Sequence, residues 1–155
     1  MNIKQLMKKV LLLLPAILCI ALLQAQQSTT NNQQAVQQTV IKMFDASSNR
    51  DSISLKAYST ADISLYEYGQ VWNIDTLILK AITLNQAADF KRTNSFEFIN
   101  TTIDKTMAWV NYRLQSAITK DGKQATVQWL ETVVLVNAKK QWKVKHLHST
   151  LIKRS

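Results

Sequence analysis

The chain is short of the residues that carry much of protein chemistry. Among 155 residues there are one cysteine, one proline, two glycines and two histidines. The single Cys19 falls in an apolar N-terminal leader, so the rest of the chain has no thiol to pair, to ligate or to attack. Two glycines cannot build a phosphate-cradling loop, and no serine sits in a recognisable nucleophile turn. Two histidines and a glutamate on one sheet face are a poor tetrahedral metal set, because neighbours on adjacent strands rarely converge on one centre. Neither a metal nor any other cofactor is expected.

What is there begins with an export signal. Lys4, Lys8 and Lys9 precede an apolar run from Val10 to Leu23, and Gln24-Ala25-Gln26 follows. A basic start, an apolar middle and a small residue at the cut make a secretory signal peptide over residues 1–25, with cleavage after Ala25. The run is short for a membrane span, so no span is expected in the mature chain. Leu18 before Cys19 lacks the small side chain that lipid attachment wants. The expected location is therefore exported, either periplasmic or secreted. Removing the leader lowers the formal net charge from +9 to +6, since three lysines leave without an acid. The remaining positive charges are scattered: Lys139, Lys140, Lys143 and Lys145 near one hairpin, Lys153 and Arg154 at the tail. A nucleic-acid interface would want a basic face interleaved with stacking aromatics; a solvated edge explains these lysines, and no nucleic-acid partner is expected.

Residues 26–32 are polar and read as a disordered leader, leaving residues 33–155 as one domain. Val36, Val40, Met43, Phe44 and Ser47 recur at helical spacing from Gln33 to about Asn49. Asn49-Arg50-Asp51-Ser52 breaks that helix, and Ile53–Tyr58 suits a short second one. The run from Asp62 to Tyr68 alternates, and Gly69-Gln70 turns it into Val71-Trp72. A third helix starts near Asp75 and carries Leu77, Ile78, Ala81, Ile82 and Leu84. From Thr93 to Lys153 the chain reads as four strands, with turns near Lys105, at Asp121-Gly122 and near Ala138. Helices followed by a long antiparallel meander make an α+β fold.

The turns fix registers. A two-residue Asp121-Gly122 turn places Val110 opposite Val133, Tyr112 opposite Glu131, Leu114 opposite Trp129 and Ser116 opposite Val127. One face of this hairpin is almost wholly apolar, which supports the register. A turn centred on Ala138-Lys139 would set Leu135 against Trp142, Val133 against Val144, Glu131 against His146 and Trp129 against His148. In the last strand Trp142, Val144, His146 and His148 alternate, so both histidines are expected on the inner face. The opposite face, with Trp109, Leu130, Leu147 and Leu151, is too apolar for plain solvent exposure and suggests a homodimer through the outer sheet face.

The helical first part, the curved sheet and the closing Trp142-Lys143-Val144-Lys145-His146-Leu147-His148-Ser149-Thr150 strand resemble the SnoaL-like group of the nuclear transport factor 2-like superfamily, which includes ketosteroid isomerase and scytalone dehydratase. The resemblance implies a cone-like fold, N-terminal helices packed in a curved antiparallel sheet around a cavity, with dimerisation through the sheet's outer face. Ketosteroid isomerase chemistry does not carry over: a Tyr is wanted in the first helix, and the stripe here is Val36, Val40, Met43 and Phe44.

The residues then point to one site. Glu131 is an acid in an apolar row and needs a partner or a raised proton affinity. His146 opposite it would make an acid–base pair, with Tyr112, Trp129, His148 and Tyr66 around the ligand. The expected function is an exported protein that binds a small apolar ligand in the cone. The alternatives are a cofactor-independent lyase, isomerase or cyclase using Glu131 and His146, and a homodimeric assembly module.

Overall fold

The computed structural model describes residues 31–155; the expected signal peptide, its cut and most of the polar leader lie outside the described residues. Residues 35–155 form one compact unit. Helix α1 covers residues 31–48 and buries the stripe expected of it, Val36, Val40, Met43, Phe44 and Ser47, together with Ala46. Arg50 takes a left-handed backbone (φ 57°) and turns the chain, and its guanidinium donates to the Asn85 carbonyl at 3.0 Å. Asp51 then caps α2 (Ser52–Ala57), accepting from the Ile53 and Ser54 amides at 3.0 and 2.9 Å. The third helix, α3 (Ile74–Ile78), is capped by Asn73 rather than Asp75, and it widens into a π turn over Leu79–Thr83. Asp75 sits in its first turn, where a negative charge suits the helix dipole.

Six strands make one sheet: β1 (Ser59–Glu67), β2 (Gln70–Trp72), β3 (Lys91–Asp104), β4 (Met107–Lys120), β5 (Lys123–Ala138) and β6 (Gln141–Arg154), in the order β2-β1-β6-β5-β4-β3. The sheet is mixed rather than purely antiparallel, because β1 runs parallel to β6 while every other pair is antiparallel. The β4–β5 register follows from Asp121-Gly122. Both turn residues have positive φ (52° and 71°), the geometry that matches strand twist in a tight hairpin. Val110 faces Val133, Tyr112 faces Glu131 and Leu114 faces Trp129, as the turn requires.

The β5–β6 register is where the expectation fails, in two steps. The turn residues are Lys139 and Lys140, with φ 53° and 65°, so Ala138 pairs with Gln141 and Trp142 lies opposite Asn137 instead of Leu135. The strand then carries a bulge: Leu135 pairs with Val144, but Val134 pairs with His146. One extra residue, Lys145, inverts the alternation downstream. Leu147 and Ser149 turn inward, and His146 and His148 turn outward. Leu147, expected on the outer face, is 1% exposed in the core.

The helices cover the inner face of the sheet with a core built from Val110, Tyr112, Leu114, Val127, Val133, Leu135, Val144 and Leu147, all essentially buried. Each such side chain contributes roughly 1.5–3 kcal/mol of apolar burial, so this face holds the sheet's curvature against the helices. Among the described residues no helix is long and apolar enough to cross a membrane.

Candidate functional site

A cavity of about 190 Å³ lies between the helices and the inner sheet face. Alternation places its polar residues. Ile63, Leu65 and Glu67 share the inner side of β1, Arg92 and Asn94 that of β3, and Tyr112, Glu131 and Ser149 those of β4, β5 and β6. Met43 and Phe44 of α1, Leu55 of α2, Leu147 and Trp129 supply apolar wall. Tyr68 and Trp72 of the β1–β2 hairpin, Leu77 of α3, and Lys80 and Ala81 of the π turn complete the lining. The Tyr68 and Trp72 rings lie 6.3 Å apart, and the Lys80 ammonium sits 5.0 Å from the Trp72 ring centre.

Glu131 is 3% exposed. Its Oε1 accepts from the Ser149 hydroxyl at 2.5 Å, and its Oε2 is buried without a hydrogen-bond partner. The Tyr112 hydroxyl faces the same carboxyl from β4, close enough to act on it as a donor although outside ideal hydrogen-bond geometry. Three aromatic rings, Phe44, Phe96 and Phe98, pack around Tyr112 at 5.5–6.3 Å. Burial pushes the Glu131 carboxyl up, against the hydrogen bonds from Ser149 and Tyr112 and the charge of Arg92. Burial, reinforced by the Glu131 charge, pushes the Tyr112 phenol well above its ordinary range. Glu67 is pushed up to about 7, first by burial and then by Glu131; Ser149 and Arg92 offset part of that. The Glu131 charge thus adds to burial in holding a proton on Glu67 near neutral pH.

Arg92 is the cation of the cluster. Its Nε–H is shared between Asn94 Oδ1 (3.0 Å) and Ser116 Oγ (3.1 Å), and its guanidinium lies 5.7 Å from the Phe44 ring centre and 5.4 Å from that of Trp129. Ser116 and Ser48 in turn fix Asn94, at 2.6 and 2.8 Å. The arginine is therefore held by its stem nitrogen and by two rings; the nearby Glu131 and Glu67 charges favour its ionised form against burial, without a direct ion pair to its terminal nitrogens.

A model of the SnoaL-like domain matches residues 36–152. The chain belongs to the SnoaL-like domain family. Solved structures share the fold at low identity. A conserved protein from Planctomyces limnophilus superposes with a TM-score of 0.71 at 14% identity, over 79% of this chain and 99% of that one. A ketosteroid isomerase-like protein from Erwinia carotovora atroseptica gives 0.64 at 16%, covering 78% and 96%. The association domain of C. elegans CaMKII gives 0.64 at 18%, covering 79% and 98%. No curated protein matches the sequence.

Of the residues expected at the site of this SnoaL-like chain, Glu131 and Trp129 line the cavity, and Tyr112 stands behind Glu131. His146, His148 and Tyr66 do not join them. The bulge carries both histidines to the outer face, where His146 Nδ1 meets the Ser64 hydroxyl at 2.8 Å. There the Tyr66 ring stands edge-on to His146 at 4.7 Å and 6.1 Å from His148. Glu131 and His146 are thus on opposite sides of the sheet, and Ser149 takes the place expected of the histidine. Asp62 is an exposed strand residue paired with Lys145.

Sequence reasoning passed over Glu67 and Arg92. The signal for Glu67 was present: in Ile63-Ser64-Leu65-Tyr66-Glu67 the acid shares parity with the two buried apolar residues. Arg92 shares parity with Phe96 and Phe98, but its strand began before the first residue assigned to it.

Proposed function

We propose that this SnoaL-like chain binds a small, mostly apolar molecule in the cavity, with one polar group of the ligand meeting the carboxyl cluster. The observation that carries this is the convergence of Glu67, Arg92 and Glu131 on the lining of an otherwise mostly apolar cavity. Ionisable groups are costly to hold in such surroundings, so they are expected there where a ligand uses them. The size agrees: a cavity near 150 Å³ accepts benzene, so about 190 Å³ suits one substituted ring or a branched chain. The test is a binding screen on the full chain, read by quenching of tryptophan fluorescence and repeated with Ala81→Trp, which would fill the mouth. Ligands that bind wild type and lose affinity by tenfold or more in Ala81→Trp support the reading. Ligands indifferent to that substitution would sink it.

A second reading is cofactor-independent proton transfer, as in a lyase, isomerase or cyclase, with Glu131 acting beside Glu67 instead of His146. It is favoured by a carboxyl held near neutral pH next to a second one, the condition that general acid–base work needs. Export through the N-terminal leader belongs to the same proposal, and so does a homodimer through the outer sheet face. The dimer is supported by Trp109 and Leu130, 41% and 43% exposed on that face.

A further inference from the structure

Resting on the cavity reading, we propose that the ligand is a small aromatic or branched aliphatic carboxylate, whose carboxylate docks on the Arg92 guanidinium. Arg92 has five N–H donors, and its single Nε–H is spent on Asn94 and Ser116. Among the described residues its terminal nitrogens make neither a hydrogen bond nor an ion pair, although Glu67 and Glu131 line the same cavity. Asn94, Ser116 and the Phe44 and Trp129 rings fix the plane of the fork, which suits bidentate capture of a carboxylate.

The other ligand charges fit worse. A cationic ligand would look for aromatic faces, but those of Phe44 and Trp129 already carry Arg92 and that of Trp72 carries Lys80. A neutral ligand would displace water from the guanidinium without supplying a charge-assisted acceptor in its place. The titratable and charged groups lining the cavity are Glu67 from β1, Tyr68 from the β1–β2 turn, Lys80 from the π turn, Arg92 from β3 and Glu131 from β5, with Tyr112 and Ser149 behind Glu131. Helices α1 and α2 contribute only Met43, Phe44, Ser47 and Leu55. Glu67 and Glu131 in their acid forms donate hydrogen bonds to the ligand; in their ionised forms they repel it. Binding therefore takes up a proton, and affinity falls as pH rises past Glu67's titration near 7.

The experiment is calorimetric titration of the full chain with benzoate, phenylacetate and isovalerate, and with their primary amides, from pH 5.5 to 8.5. The carboxylates should bind at least tenfold tighter than the amides at pH 6, and should weaken by about tenfold per pH unit above 7, as one linked proton requires. Arg92→Gln should cost the carboxylates tenfold or more and spare the amides, with Arg92→Lys in between because an ammonium cannot fork. Should Arg92→Gln fail to fold, Arg92→Lys decides instead: it should weaken the carboxylates and leave the amides unchanged. Amides that bind as well as carboxylates, or carboxylate affinity that the Arg92 substitution leaves unchanged, would overturn the proposal and leave the cavity reading standing. Binding of neither series would overturn both.

Discussion

Ser149 donates its hydroxyl to Glu131 Oε1 at 2.5 Å from the neighbouring strand, and it reaches that carboxyl because β6 carries one more residue than β5 between Val144 and His146. The bond satisfies one oxygen of Glu131, and the other faces the Tyr112 hydroxyl. A carboxyl buried so deeply costs more in desolvation than these donors return, and is a liability to the resting fold.

Glu131→Leu should accordingly stabilise the protein by about 1 kcal/mol at pH 7.5, since replacing a buried ionisable group by an apolar one of similar size is commonly neutral or favourable. The check is urea unfolding of both proteins at the same pH. A loss of about 3 kcal/mol or more would mean that the carboxyl is a structural partner, and the site assignment would fall with it.

Stability should decline as pH rises from about 5 to 8. The folded-state affinity of Glu67 for its proton is raised, from the ordinary 4.5 to about 7. Between those values the folded chain holds a proton that the unfolded chain has released, so the unfolded state binds fewer protons and stability falls with pH. The effect of Glu67 is on the order of 2 kcal/mol once partial solvation is allowed for, and Glu131 acts in the same direction. Glu67→Gln should flatten much of the slope. A profile that rises over this range would contradict the burial described for both acids.

The bulge makes Leu147 and His148 opposites. Leu147→Ala should cost about 2–5 kcal/mol, as buried leucines do, whereas His148→Ala should stay within about 0.5 kcal/mol and leave ligand binding unchanged. His146→Ala removes the bond from Ser64 and should cost about 0.5–1.5 kcal/mol, again without an effect in the cavity. The reverse ranking of Leu147 and His148 in thermal or chemical unfolding would restore the unbulged strand.

Trp109→Ala on the outer face should shift the protein from dimer to monomer in light scattering at micromolar concentration, while its ligand affinity holds. A wild-type chain that is already monomeric under those conditions would end the dimer reading.

How far the sequence could be read depended on where the turn chemistry was written. Asp121-Gly122 announces a hairpin with both central residues at positive φ, and from it the Tyr112–Glu131 pairing followed correctly. Lys139-Lys140 adopts the same geometry, but lysine carries no preference for it, so the turn was placed one residue early. Lys145 is hidden for a related reason. A bulge costs little and leaves no mark on composition, yet one inserted residue exchanges the two faces of everything beyond it. The alternation of Trp142, Val144, His146 and His148 was real, but it held only as far as Val144. Glu67 and Arg92 became visible once neighbouring strands were set beside them, since a cluster drawn from five strands has no short motif.

The parallel contact between β1 and β6 bears on the order in which the molecule can assemble. Ser64 aligns with His146 and Tyr66 with His148, some 82 positions apart in the chain. Until β6 has been synthesised, β1 has only the three-residue β2 beside it, and the Glu131 carboxyl waits without Ser149. Closing so long a loop carries an entropic cost before any contact repays it, so the sheet joins late and slowly. The contact that closes the sheet beside Glu67 thus joins segments from opposite ends of the described domain, and Ser149 meets Glu131 only once β6 is in place.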